Sequence, residues 1–65
     1  MKLNVKRIKV LLAENDMTQT DLANKIGSAD QHVSSILTKE TCSLNTLGKI
    51  SKALGVSPAE IIKEE

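Results

Sequence analysis

The stretch from Thr18 to Leu37, TQTDLANKIGSADQHVSSIL, holds two short amphipathic runs separated by Gly27-Ser28. Leu22, Ala23 and Ile26 recur at helical spacing before the glycine, and Val33, Ile36 and Leu37 recur after it. Each run carries its own start signal. Thr18 with Asp21 has the spacing of a capping box, and Ser28 with Gln31 fits one outright, the side chain at each end satisfying an amide at the other. Gly27 suits the join, because a steep turn after a helix needs a residue that takes positive φ cheaply. Two short helices on so short a connection do not fold back antiparallel. They must cross steeply.

Outward from this pair, three more helices are predicted. Helix one runs from about Val5, with Asn4 as its cap, to about Glu14, and places Val5, Ile8, Leu11 and Leu12 on one face. Asn15 and Asp16 both tolerate a left-handed stop. Helix two spans about Gln19 to Ile26 and helix three about Ala29 to Leu37, followed by a loop from Thr38 to Ser43. Helix four starts after Ser43, carries Leu44, Leu47, Ile50, Ala53 and Leu54 at helical spacing, and stops at Gly55. Helix five opens on Ser57-Pro58-Ala59-Glu60, a capping box with proline at the first helical position, and buries Ile61 and Ile62. No segment alternates with period two, so strands are not expected. The chain reads as a single all-α, five-helix domain over residues 1–65, with helices two and three in the helix-turn-helix layout. In that layout the second helix can enter a DNA major groove.

Composition narrows the function classes. One Cys and one His in 65 residues leave neither a disulfide framework nor a metal site. Cys42 sits in a polar stretch and reads as a free thiol in a reducing cytosol, in preference to an intermolecular disulfide. No run approaches the ~18 consecutive apolar residues of a membrane span, and the basic, apolar start lacks a cleavage site, so a cytoplasmic protein without a membrane partner is expected. There is no Ser-His-Asp arrangement, no paired catalytic carboxylates and no glycine-rich phosphate loop, so neither an enzyme nor a cofactor is expected. The net charge is only +1, yet its distribution is uneven. Residues 1–10 hold Lys2, Lys6, Arg7 and Lys9 without an acid; the other 55 hold five lysines against eight acids, giving −3. Such asymmetry permits one anion-facing end, although a charged helix face is more often just solvated.

From Met17 to Ile62 the order of elements resembles the Cro and phage-repressor family, also called Xre-like, whose domains have the lambda-repressor-like fold. The matching residues are Met17-Thr18-Gln19-Thr20-Asp21-Leu22-Ala23, then Ile26-Gly27, Val33 and Ile36. Further on come Ser43-Leu44-Asn45-Thr46-Leu47, Lys49-Ile50 and Lys52-Ala53-Leu54-Gly55-Val56-Ser57-Pro58. Any one piece is weak evidence; the ordered set is strong. The resemblance implies that Thr18 and Gln19, at the amino end of helix two, hold a DNA phosphate and orient the recognition helix. It implies base reading by Ala29, Asp30, Gln31, Ser34 and Ser35, and a second phosphate region at Thr38, Lys39, Ser43 and Asn45. Gln31 is the leading base reader, since its amide can pair with adenine N6 and N7 together. Family members often pair an Arg of helix one with a Glu after the recognition helix. Leu12 and Leu37 stand at the matching positions, and this exchange of an ion pair for packed hydrophobes is often neutral or stabilising. The loop after helix three also lacks the family's usual Gly and Pro and is one residue shorter.

Several of these residues have plainer explanations. An acid in a helix's first turn serves the helix dipole by about 0.3–1 kcal/mol, and this is favoured for Asp30 over accepting from a cytosine amino group. Gln31 also serves as the expected capping partner of Ser28. His32, alone after a polar run, reads as a surface residue first and a phosphate contact second. The recognition helix, read as ending at Leu37, contains no Arg or Lys, and Ser34 and Ser35 bury little, so one domain alone should bind weakly. Two-fold pairing would set two such helices about 34 Å apart on a palindromic operator. The candidate surface for a weak or DNA-induced homodimer is Val56, Ile61 and Ile62, which equally suit closing the monomer core. The expected function is sequence-specific binding of double-stranded DNA as a small repressor. The alternative is a protein-interaction module, such as the antitoxin of a toxin–antitoxin pair. The acidic end, Lys63-Glu64-Glu65, fits a natural terminus and a cut from a longer repressor equally.

Overall fold

The computed structural model describes residues 2–63, and within them four α-helices and one short 3₁₀ turn. In chain order these are α1 (Val5–Glu14), α2 (Gln19–Ile26), α3 (Asp30–Lys39), α4 (Leu44–Leu54) and the 3₁₀ turn Pro58–Glu60. α2 packs on both α3 and α4, and α4 packs on the 3₁₀ turn. No strand forms among the described residues.

Most helix starts follow the expected caps. The Asn4 side chain accepts from the Arg7 amide at 3.1 Å. At α2 the Thr18 hydroxyl accepts from the Asp21 amide at 3.1 Å, and the Thr18 amide donates to the Asp21 carboxylate at 2.9 Å. The Ser43 hydroxyl accepts from the Thr46 amide at 3.2 Å. α3 differs. Its cap position is Ala29, which has no side-chain hydrogen bond to offer, so the box expected between Ser28 and Gln31 does not form. The reason lies in the preceding helix. The Ser28 amide donates to the Ala23 carbonyl at 2.9 Å, closing α2 in the six-residue bond of a Schellman motif. Ser28 therefore finishes α2, and α3 begins two residues later.

All four helices end on this device. Met17 donates to Leu12, Ser28 to Ala23, Thr41 to Ile36 and Val56 to Ser51, each across a left-handed residue. Those residues are Asp16 (φ 52°), Gly27 (φ 72°), Glu40 (φ 57°) and Gly55 (φ 71°). At the end of α3, Glu40 takes the role usually filled by glycine. α3 thereby runs to Lys39, so Thr38 and Lys39 lie on its last turn and not in a loop.

The core is aliphatic. Ile8, Leu11 and Leu12 from α1 meet Leu22, Ala23 and Ile26 from α2, Val33, Ile36 and Leu37 from α3, and Leu47, Ile50 and Leu54 from α4. Leu12 and Leu37 belong to this same cluster, as their joint apolar character implies. Leu44 does not, being 72% exposed at the first position of α4, off the buried stripe. Ser51 is the one buried polar residue among those described, and its hydroxyl donates to the Gly48 carbonyl at 3.0 Å. Cys42 is half-buried against the core, and that desolvation pushes its thiol up from the ordinary value.

The expected fifth helix is instead the single 3₁₀ turn Pro58–Glu60. Its continuation is taken by a pairing distant in sequence. The Asn4 amide donates to the Ile61 carbonyl at 2.8 Å, the Lys63 amide to Lys2 at 2.9 Å, and the Leu3 amide to Glu40 at 2.8 Å. Isolated β-bridges, Lys2 with Thr41 and Leu3 with Ile62, mark this crossing. Residues 2–4 thus lie between the end of α3 and the segment 61–63, with Leu3 and Ile61 fully buried. The acidic residues Glu64 and Glu65 lie outside the described residues.

Candidate nucleic-acid interface

α3 has two faces of different character. Val33, Ile36 and Leu37 are buried, whereas Asp30, Gln31, Ser34 and Ser35 are exposed. At 100° per residue, positions 30, 31, 34 and 35 fall within an arc of about 140° pointing away from the core. Thr38 continues the same stripe one turn on, and Ala29 precedes it, also exposed. Four of the five residues matched to base reading therefore lie on one open face, and the fifth, Ala29, is exposed at the cap before it. Gln31, Ser34 and Ser35 make no side-chain hydrogen bond among the described residues, so their polar groups stand available to a ligand.

Asp30 is different, because the Thr20 hydroxyl donates to its carboxylate at 2.8 Å. This bond crosses the turn and ties the first turn of α2 to the first residue of α3. It fixes where the carboxylate sits on the exposed face. Thr20 escaped the sequence reading because the pairing spans ten residues. A hydroxyl one position into α2 facing an acid opening α3 was the only signal for it.

Around this face lie the residues matched to phosphate contact. Gln19, half-buried, opens α2, and the Thr18 hydroxyl caps that helix by accepting from the Asp21 amide. Two hydrogen bonds from Thr18, its amide foremost and its hydroxyl second, hold the Asp21 carboxyl below its ordinary value of 3.8. Ser43 and Asn45 stand exposed at the start of α4. The Ser43 hydroxyl already donates to Thr46 Oγ1 at 3.0 Å. Lys39 borders a shallow groove beside α3 with His32, Ser35, Ile36 and Thr41.

The residues considered for two-fold pairing separate. Ile61 is 0% exposed, so its side chain belongs to the monomer core and is not available at a surface. Val56 and Ile62 are half-buried against that core, each with a remaining open edge.

Four short helices around one aliphatic core, two of them joined by the tight turn at Gly27, define the chain's class as a compact all-helical domain. Within that class the chain belongs to the Cro/C1-type HTH DNA-binding domain family, whose model matches residues 7–65. The match begins inside α1 and covers every later element. No curated protein matches the sequence. Among the described residues, no helix is long and apolar enough to cross a membrane.

Proposed function

We propose that this domain binds double-stranded DNA sequence-specifically, with α2 and α3 as the helix-turn-helix and α3 as the recognition helix. The observation that carries the reading is the exposed, hydrogen-bond-free stripe of Gln31, Ser34 and Ser35 on a helix whose opposite face is buried. Gln31 reads a base edge, with Ala29 and Ser35 beside it. Asp30, held by Thr20, accepts from a base amino group or repels sequences that place a carbonyl there. Gln19 and the amino end of α2 hold one phosphate; Lys39, Ser43 and Asn45 hold another. Regulation is steric: the domain acts as a repressor by occupying an operator that overlaps a promoter. With one reading face per chain, built of small and polar groups and carrying no cation, two copies pair on a palindromic site, Val56 and Ile62 lying at the contact.

Binding to the DNA upstream of its own gene tests this. Affinity should fall steeply with added salt, because each neutralised phosphate releases counterions. Gln31→Ala should cost about 1–3 kcal/mol on the preferred site and relax preference at one base pair. Gln19→Ala should weaken specific and random DNA alike. Equal losses on both DNAs for the two variants would remove Gln31 from the base-reading role. Salt-sensitive binding absent even at low ionic strength would remove the DNA reading of this face altogether.

A further inference from the structure

A second charged surface lies between α2 and α4. It is an open groove of about 470 Å³ lined by Lys25, Lys49, Lys52, Ile26 and Ala53. Its volume falls in the range of small ligand sites, enough to seat one or two side chains. The floor is apolar, Ile26 being 9% exposed and Ala53 half-buried. The rim is three exposed lysines, and none has an ion-pair partner among the described residues. No carboxylate lines the groove.

Lys25 and Lys52 each occupy the last turn of their helix, where a cation favours the dipole. Lys49 sits earlier in α4 and has no such explanation. It stands three residues from Lys52, so the two project as neighbours along one wall, with Lys25 on the other. Three cations gathered around an apolar floor are complementary to an anion that carries an apolar part.

We propose that this groove docks an acidic amphipathic helix of a partner protein, its carboxylates on the three lysines and one aliphatic side chain on Ile26 and Ala53. Glutamates three or four residues apart on such a helix match the Lys49–Lys52 row. A DNA strand fits less well. It brings no apolar group to cover the floor. Lys25 and Lys52 also stand six and seven residues beyond Gln19 and Asn45, roughly 9–10 Å along each helix from the ends assigned to phosphate.

The probe is a synthetic amphipathic helix with glutamates on one face and leucines on the other, titrated into the isotope-labelled domain without DNA. Amide shifts should move at Lys25, Ile26, Lys49, Lys52 and Ala53, leave Gln31 to Ser35 unmoved, and fade with salt. The double variant Lys49→Met with Lys52→Met keeps the aliphatic stems and should weaken the peptide by roughly tenfold or more. Its thermal midpoint should fall only slightly, through loss of the Lys52 charge from the last turn of α4, and its affinity for duplex DNA should stay unchanged. The proposal is overturned if the peptide fails to bind, if it moves α3 instead, or if a glutamine-for-glutamate peptide binds equally. It is also overturned if the double variant loses duplex affinity with a shallower salt dependence, which would make the groove a phosphate contact. Because the titration contains no DNA, its failure and failure of the DNA reading are separate results.

Discussion

At Asp16, Gly27, Glu40 and Gly55 the backbone takes the same left-handed turn, but the residues meet it on unequal terms. For an L-residue with a side chain that conformation costs roughly 1–2 kcal/mol, and for glycine almost nothing. A Cβ built on Gly27 meets nothing within 4 Å, so Gly27→Ala introduces backbone strain and no clash. It should destabilise the domain by about 1 kcal/mol in equilibrium urea denaturation. Glu40→Gly should act in the opposite sense, with a gain of up to about 1 kcal/mol, because the relieved strain exceeds the added freedom of the unfolded chain. Asp21 gives a pH signature at the same scale. Its carboxyl is held below 3.8 when folded, so the unfolded chain binds the proton more readily. The box therefore contributes fully above about that value and its contribution is lost as pH falls through the lower folded pKa. Asp21→Ala should lower stability at neutral pH, and its deficit against the parent should shrink on acidification. Denaturation curves across pH for both proteins check the sign.

Among the elements, α2 was the most legible from sequence and the start of α3 the least. Both bounds of α2 follow from signals within ten residues: the Thr18–Asp21 box at one end and Gly27 at the other. Ser28 and Gln31 carry the spacing of a box as well, yet the closing bond of α2 claims the Ser28 amide first. Two local motifs compete for one residue, and spacing alone does not rank them. The exposed stripe of the candidate site was legible because it is the complement of the apolar period. The Thr20–Asp30 bond was not, since it depends on how the two helices cross. That bond carries its own prediction. Thr20→Val keeps the side chain's shape but removes the donor, leaving an exposed carboxylate free to move. Stability should fall by no more than about 1 kcal/mol, the scale of one solvent-accessible hydrogen bond. On DNA, preference at a single base pair should broaden while random-sequence affinity holds, and Thr20→Ser should restore the preference. A selection over randomised operators reads both. Uniform weakening across all sequences would instead give Thr20 a purely structural part.

For the molecule as a whole, closure depends on a segment the sequence barely marks. Leu3 precedes the first helix, outside any apolar period, and Ile61 follows a proline turn that reads as the start of another helix. Both are fully buried because residues 2–4 cross between the end of α3 and residues 61–63, a pairing of chain ends that no local rule supplies. In a domain this small, each core side chain is a large share of a total stability of order 5–15 kcal/mol, and small domains sit at the low end. Leu3→Ala should cost about 2–5 kcal/mol and leave much of the protein unfolded at physiological temperature. Leu44→Gln should change stability by less than about 0.5 kcal/mol, because Leu44 is 72% exposed. The Leu3 variant also discriminates two roles for the amino-terminal segment. If Leu3 acts only by closing the core, cooling or an osmolyte that refolds Leu3→Ala should return DNA affinity to the parent value. Recovery of the fold without recovery of affinity would place residues 2–4, with the cations of Lys2 and Lys6 beside them, at the DNA itself.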